Sequence, residues 1–138
     1  MSSILDQTGR QTPRREVGLI VVPVKAAAII RAGFMVCVDA TGFAVEGKAA
    51  TGLTYLGRAE EHVDATGFAD GDLGITVTTG NANAFLYANS AADPVTQASF
   101  GKPCYIADSE TVAETDAGGT LSPAGRVVGI DENGVWVE

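Results

Sequence analysis

The sequence predicts an all-β protein: a single antiparallel β-barrel or sandwich of short strands, with an extended N-terminal arm and little helix. Three observations lead there. Turn signals built from Gly, Asp, Asn and Thr recur every 8 to 12 residues along the chain. Gly (17) and Thr (13) are plentiful, whereas strong helix formers other than Ala are scarce. The apolar residues fall in short continuous runs or in strict alternation, the period of a strand and not of a helix.

At 138 residues the chain has the length of one domain. Folding a chain of this size hides roughly two-thirds of its extended surface. Apolar residues make up 46%, but 21 are Ala and aromatics are only 7%, so the core is expected to be thin and stability to be supplemented by assembly.

Taken in order, residues 1–16 (MSSILDQTGRQTPRRE) have no periodicity, and Pro13 limits helix; they read as an extended arm. Residues 17–138 form the β body. Val17 to Val24 (VGLIVVPV) is continuous and β-branched, which suggests a strand buried on both faces with Pro23 at its edge or end. Lys25 to Ile30 fits a helical turn or a strand. Phe34 to Asp39 is a second strand, turned by Ala40-Thr41-Gly42 into Phe43-Ala44-Val45.

The heptamer Val-Asp-Ala-Thr-Gly-Phe-Ala occurs at 38–44 and again at 63–69. It reads as two uses of good turn chemistry, or as a duplicated hairpin. Thr54 to His62 is a strand. Leu73 to Thr79 alternates cleanly, so it is half-buried, and Ala84 to Ala88 is expected to pair back with it across Gly80-Asn81. In Ala92 to Phe100, Asp93 and Pro94 suit the N-cap and first position of one helical turn.

The chain closes with strands at Pro103–Ala107 and Thr111–Ala113, an acidic segment from Asp108 to Asp116, the Gly118-Gly119 break, and a hairpin. That hairpin runs Arg126–Ile130, then Asp131-Glu132-Asn133-Gly134, then Val135–Val137. Trp136, the single Trp, is expected to anchor the core, and the last strand to hold the chain end in place.

Charge is uneven. Residues 1–31 carry five basic and two acidic side chains, +3, and residues 32–138 carry four basic and fifteen acidic ones, −11. An acidic body disfavours nucleic acid, which needs clustered Lys and Arg. The basic arm, with Arg10, Arg14, Arg15 and the apolar Ile4-Leu5, suits docking on an acidic partner. Val17 to Val24, the longest apolar run, is too short to span a bilayer. No leader-like apolar segment precedes it, so a cytosolic site of synthesis is expected, with Cys37 and Cys104 as free buried thiols.

Support for catalysis is slight. The only His, His62, lies beside Glu60 and Glu61 in a polar stretch and reads as a solvated surface group. Asp64, Asp70 and Asp72 have oxygen ligands for a cation but no EF-hand spacing, and capping of turns is the simpler role. Two Cys and one His make no zinc pattern. No catalytic residue, metal or cofactor is assigned.

One set of segments, in this order, carries a resemblance: Ile30 to Val36, Asp39 to Ala44, Ala69 to Asp72 with Val77, Gly101 to Tyr105, Asp108, Thr111 to Ala113, Ala124 to Val128, and Gly134 to Val137. Together they resemble the small acidic Gly/Ala-rich virion proteins of tailed bacteriophages, encoded beside the major capsid protein. The resemblance spans residues 17–138; the arm lies outside it.

It implies a non-enzymatic structural protein made in the host cytoplasm and placed on the capsid surface. There it would serve as a decoration or cement protein, self-associating as a homotrimer with the major capsid protein as partner, and binding neither nucleic acid nor membrane. The arm residues Ile4, Leu5, Arg10, Arg14 and Arg15 would lie along the capsid or a neighbouring subunit. Two other classes remain: a tail or receptor-binding β module, which calls for an exposed aromatic patch, and a small β-barrel enzyme or lyase, which calls for a cleft at His62 with Glu61 or Asp64.

Overall fold

A computed structural model describes residues 9–138, so Ile4 and Leu5 lie outside the described residues. The described chain is all-β, with one three-residue 3-10 turn at Gln97–Ser99. Its strands are β1 (Leu19–Pro23), β2 (Ile29–Ile30), β3 (Met35–Val38), β4 (Ala44–Glu46), β5 (Thr54–Ala59), β6 (Val63–Asp64), β7 (Gly74–Thr79), β8 (Phe85–Asn89), β9 (Pro103–Ile106), β10 (Thr111–Ala113), β11 (Pro123–Asp131) and β12 (Gly134–Val137).

These strands make two units. Five form an antiparallel sheet in the order β1-β7-β5-β3-β4, with β2 and β6 as a small ribbon beside it. The last five close a barrel, β10-β8-β12-β11-β9, in which β10 and β8 run parallel and the other pairs antiparallel. The barrel therefore takes only the C-terminal part of the chain. Ala84 to Ala88 does not pair back on Leu73 to Thr79: β8 joins β12 and β10, and residues 80–84 carry the chain from sheet to barrel. The barrel offers β8 two partners, which satisfies both its edges at once.

β3 holds the units together. Met35 and Cys37 face the barrel and share a cluster with Leu53, Phe85, Tyr87, Cys104, Val112 and Val135, among others. Val36 faces the other way, into a second cluster with Val22, Ile30, Ile75 and Val77. All three β3 side chains are fully buried. The strand enclosed on both faces is thus β3, not Val17–Val24, because β3 lies inside the sheet and β1 at its rim.

Polar side chains also cross the junction. Ser122, buried, accepts the Leu53 N–H at 3.0 Å and donates to the Ala50 carbonyl at 2.7 Å. Tyr55 and Tyr87 meet edge to face, with centroids 6.3 Å apart and hydroxyls 3.1 Å apart. Burial pushes both phenols upward in pKa, that of Tyr87 to about 12.

The two copies of the repeated heptamer fold differently. At 38–44 it is the β3–β4 hairpin, with Asp39 and Phe43 bonded main chain to main chain. At 63–69 it leaves β6, whose partner is β2, and enters a loop. Both keep the Asx turn, Asp39 or Asp64 accepting the N–H two residues on at 2.9 Å, so turn chemistry recurs and hairpin pairing does not. Asp93 is not a helix cap: its carboxylate takes the Thr115 N–H and hydroxyl, and the 3-10 turn begins after Thr96.

The final hairpin forms as expected, with Glu132 and Asn133 at its tip and Asn133 N–H bonded to Asp131 at 2.8 Å. Glu138 exchanges two main-chain bonds with Arg126, and their side chains pair at 2.8 Å. Trp136, however, is not a core residue. Val135 and Val137 are fully buried in the barrel, so the residue between them must point outward, and Trp136 is 39% exposed.

Candidate interaction surface

Most of the chemically active side chains singled out from the sequence are engaged in structure. The Asp39 carboxylate accepts the Thr41 hydroxyl and the Thr41 and Phe43 N–H groups, and Lys25 lies 3.5 Å away; the hydroxyl bond is the main reason its pKa falls to about 2. Asp70 accepts the Ala26 N–H at 2.8 Å, and Asp72 the Ala69 N–H at 2.9 Å. Asp64, Asp70 and Asp72 thus hold turns. In the acidic segment Asp108 accepts the Glu110 N–H, and Glu114 accepts the Thr96 and Ser99 hydroxyls, which lower its pKa. Among the described residues no three His, Cys, Asp or Glu side chains converge as metal ligands. His62 is exposed on the bend between β5 and β6. Burial pushes both Cys37 and Cys104 to about 12, so they stay protonated thiols with little nucleophilic character.

What the surface offers instead is apolar. β1 is an outer strand of its sheet, and two bonds fix its orientation. Val24 N–H goes to the Leu73 carbonyl, and Thr79 N–H to the Gly18 carbonyl. By the two-residue period, Gly18, Ile20, Val22 and Val24 turn their main-chain groups toward β7. Leu19, Val21 and Pro23 turn theirs to the open side. On the sheet face Leu19 is 62% and Val21 72% exposed, beside Thr78 and Thr76 of β7. Val17, at the foot of the arm, is 47% exposed. No charged residue interrupts Val17 to Val24. The other outer strand, β4, is not free: Ala44 bridges Val24. Beyond Thr76 and Thr78 lie Glu60, held by Arg58 and the Thr78 hydroxyl, and Glu61, which accepts the Thr76 N–H.

The arm residues come next to this strand. Arg10, Arg14 and Arg15 are exposed and outside regular structure, and Arg10 donates to the Thr12 hydroxyl. A shallow groove runs between Arg15, Glu16 and the Leu19–Val21 side chains.

A second patch lies on the barrel. Trp136 stacks over Gly129, where a Cβ would come within 3.0 Å of the indole, and pairs across β8 with exposed Leu86. Its Nε1 donates to Asp131 at 3.1 Å. Arg58, 5.0 Å over the Phe85 ring, closes the hollow beside it. Sequence reasoning missed this patch; the signal was the pair of Val residues flanking Trp136.

Among the described residues no helix is long and apolar enough to cross a membrane. The described residues define an all-β protein with an apolar outer strand, open over Leu19 to Val21, next to a basic arm. Comparison with protein-family models, curated proteins and solved structures finds no match for the chain.

Proposed function

We propose that this chain is a structural virion protein of a tailed bacteriophage, which binds the assembled capsid surface and stabilises the head by bridging neighbouring capsid subunits. The observation that carries the reading is the juxtaposition of a basic extended arm with an uncharged, apolar strand on an otherwise acidic body. A ligand that binds only the assembled lattice stabilises that state by mass action. Contacts that span subunit boundaries are the ones such a ligand needs. The arm would lie along the capsid, and the body would self-associate, as the homotrimer that the resemblance implies.

The test is co-sedimentation of the purified chain with capsids of the same phage and, separately, with free capsid subunits. Retention by capsids alone is expected; equal binding to both, or to neither, overturns the reading. Removing residues 9–16 together with those before them is expected to weaken retention and leave the body folded.

The exposed Trp136–Leu86 patch favours a second reading, a tail or receptor-binding module, since an indole face beside Arg58 suits a sugar ring or an apolar side chain. Glycan binding lost on Trp136→Ala, without capsid binding, would select it.

A further inference from the structure

We infer that β1 pairs with β1 of a second copy, antiparallel about a two-fold axis through Ile20, so that Leu19 of each copy lies opposite Val21 of the other. This inference does not rest on the capsid reading.

The open side of β1 presents the main-chain N–H and C=O groups of Leu19 and Val21, and the adjoining face presents their side chains. Proteins that keep a strand edge single guard it with Lys, a bulge or a cover. Among the described residues β1 has none of these over Leu19 to Val21; only its far end is closed, by Pro23 and by the Lys25 N–H bonded to the Ala44 carbonyl of β4. The barrel is closed and β4 is bridged, so among the described residues neither unit offers another long open edge for β1 to meet. An open edge whose only match is itself makes an isologous, two-fold contact.

Charge selects the antiparallel sense. Beyond Pro23 the chain reaches Lys25, whose Nζ lies 3.5 Å from both Asp39 and Asp70, with Asp72 two residues further. Two carboxylates there share one cation, and Asp72 adds a third negative charge nearby in the chain. At the opposite end of β1 stand Arg14 and Arg15, in no ion pair among the described residues. Antiparallel pairing carries the arginines of each copy toward the carboxylates of the other. A parallel pair would set arm against arm and acid against acid. Four residues of strand bury too little for a stable dimer, so the arm, crossing the partner beyond Pro23, supplies the remaining contact.

Proline fixes the register. Pro23 has no N–H, so it cannot exchange two bonds with a partner residue. Centring the axis at Ile20 puts Pro23 opposite Val17, at the end of the ladder, and keeps Leu19 and Val21 in fully bonded pairs. The result is a ten-stranded sheet running through both copies.

The test uses the full chain without capsid. Light scattering at high micromolar concentration is expected to give an even number of copies: a dimer, twice 14.1 kDa, or a pair of trimers where the three-fold contact also forms. A monomer or a lone trimer overturns the inference, while leaving the capsid reading to its own test.

Cysteine placement then reads the register. Cys37 and Cys104 are fully buried and do not interfere. A chain carrying both Leu19→Cys and Val21→Cys is expected to form a disulfide dimer on mild oxidation, since residues directly opposite lie within disulfide reach. Either single substitution is expected not to, because identical residues are offset along the axis. Efficient cross-linking by one single variant, or none by the double, overturns the register. Arg14→Glu with Arg15→Glu is expected to weaken association about tenfold and to reduce its salt dependence; unchanged association and salt response overturn the charge argument. Both sites are exposed, so an unchanged far-UV spectrum and melting curve in dilute solution shows that each variant is folded.

Discussion

Replacing Val36 or Val21 by Ala removes the same two methyl groups from two strands of one sheet. Val36, on β3, is fully buried, and Val21, on β1, is 72% exposed. At ~0.8 kcal/mol per buried methylene-sized group, Val36→Ala loses about 1.6 kcal/mol of transfer energy. The cavity, roughly 50 Å³ if nothing relaxes, adds up to about 1.2 kcal/mol. The expected cost is therefore ~2–3 kcal/mol. Only about a quarter of the Val21 side chain is covered, so the same change there costs about 0.4 kcal/mol and leaves no cavity.

For a chain of this length 1 kcal/mol moves the melting midpoint by roughly 3–5 °C. Val36→Ala should lower it by about 8–12 °C and Val21→Ala by about 1–2 °C. Chemical and thermal melts in dilute solution, where β1 edges are unpaired, measure both. A cost at Val21 equal to that at Val36 would mean that the outer face of β1 is covered within the chain, and the argument for an open edge would fail. A cost below ~1 kcal/mol at Val36 would mean that β3 is not enclosed on both sides.

Other outcomes follow from single groups. The Asp39 carboxyl is held at about 2 when folded, below its ordinary value of 3.8, so its contribution is present above pH 4 and lost as pH falls through 2; Asp39→Asn should flatten the stability profile in that window, measured by urea melts. Cys37 and Cys104 should react with a thiol reagent only at the rate of unfolding, and rapid labelling of native protein would contradict their burial. Trp136 should emit to the red of a buried indole and be quenched by acrylamide in the native state; blue, unquenched emission would restore it to the core. Gly57→Ala should destabilise by ~3 kcal/mol or more in equilibrium melts, because its Cβ would meet the Thr78 carbonyl where β5 pairs with β7, and a neutral effect would place that pairing elsewhere.

The strands were legible because period two and turn chemistry are local. The Asx turns at Asp39 and Asp64 and the Asp131–Gly134 hairpin could be read from a few residues each. Burial was less so. Val-Gly-Leu-Ile-Val-Val-Pro-Val and Phe-Met-Val-Cys-Val are both continuous, uncharged apolar runs, yet one is a rim strand and the other a centre strand, and position in a sheet is set by distant partners. The same holds for β8, whose neighbours in space are β10 and β12 and not the strand before it. Trp136 turned on parity: alternation says that it and its two Val neighbours face opposite ways, but not which side is inside. The candidate surface inherits both difficulties. Its residues were visible as an apolar run and a lone Trp, but their exposure was not.

Because β3 lends one face to each core, the sheet and the barrel cannot loosen independently. Stripping the barrel away leaves Met35 and Cys37 against solvent. The main-chain amides of 35–38 should then exchange with deuterium only through global opening, and should be among the slowest in the molecule. Cutting the crossover at residues 80–84 would not yield two folding halves, since each would carry away a hydrophobic surface that the other had covered.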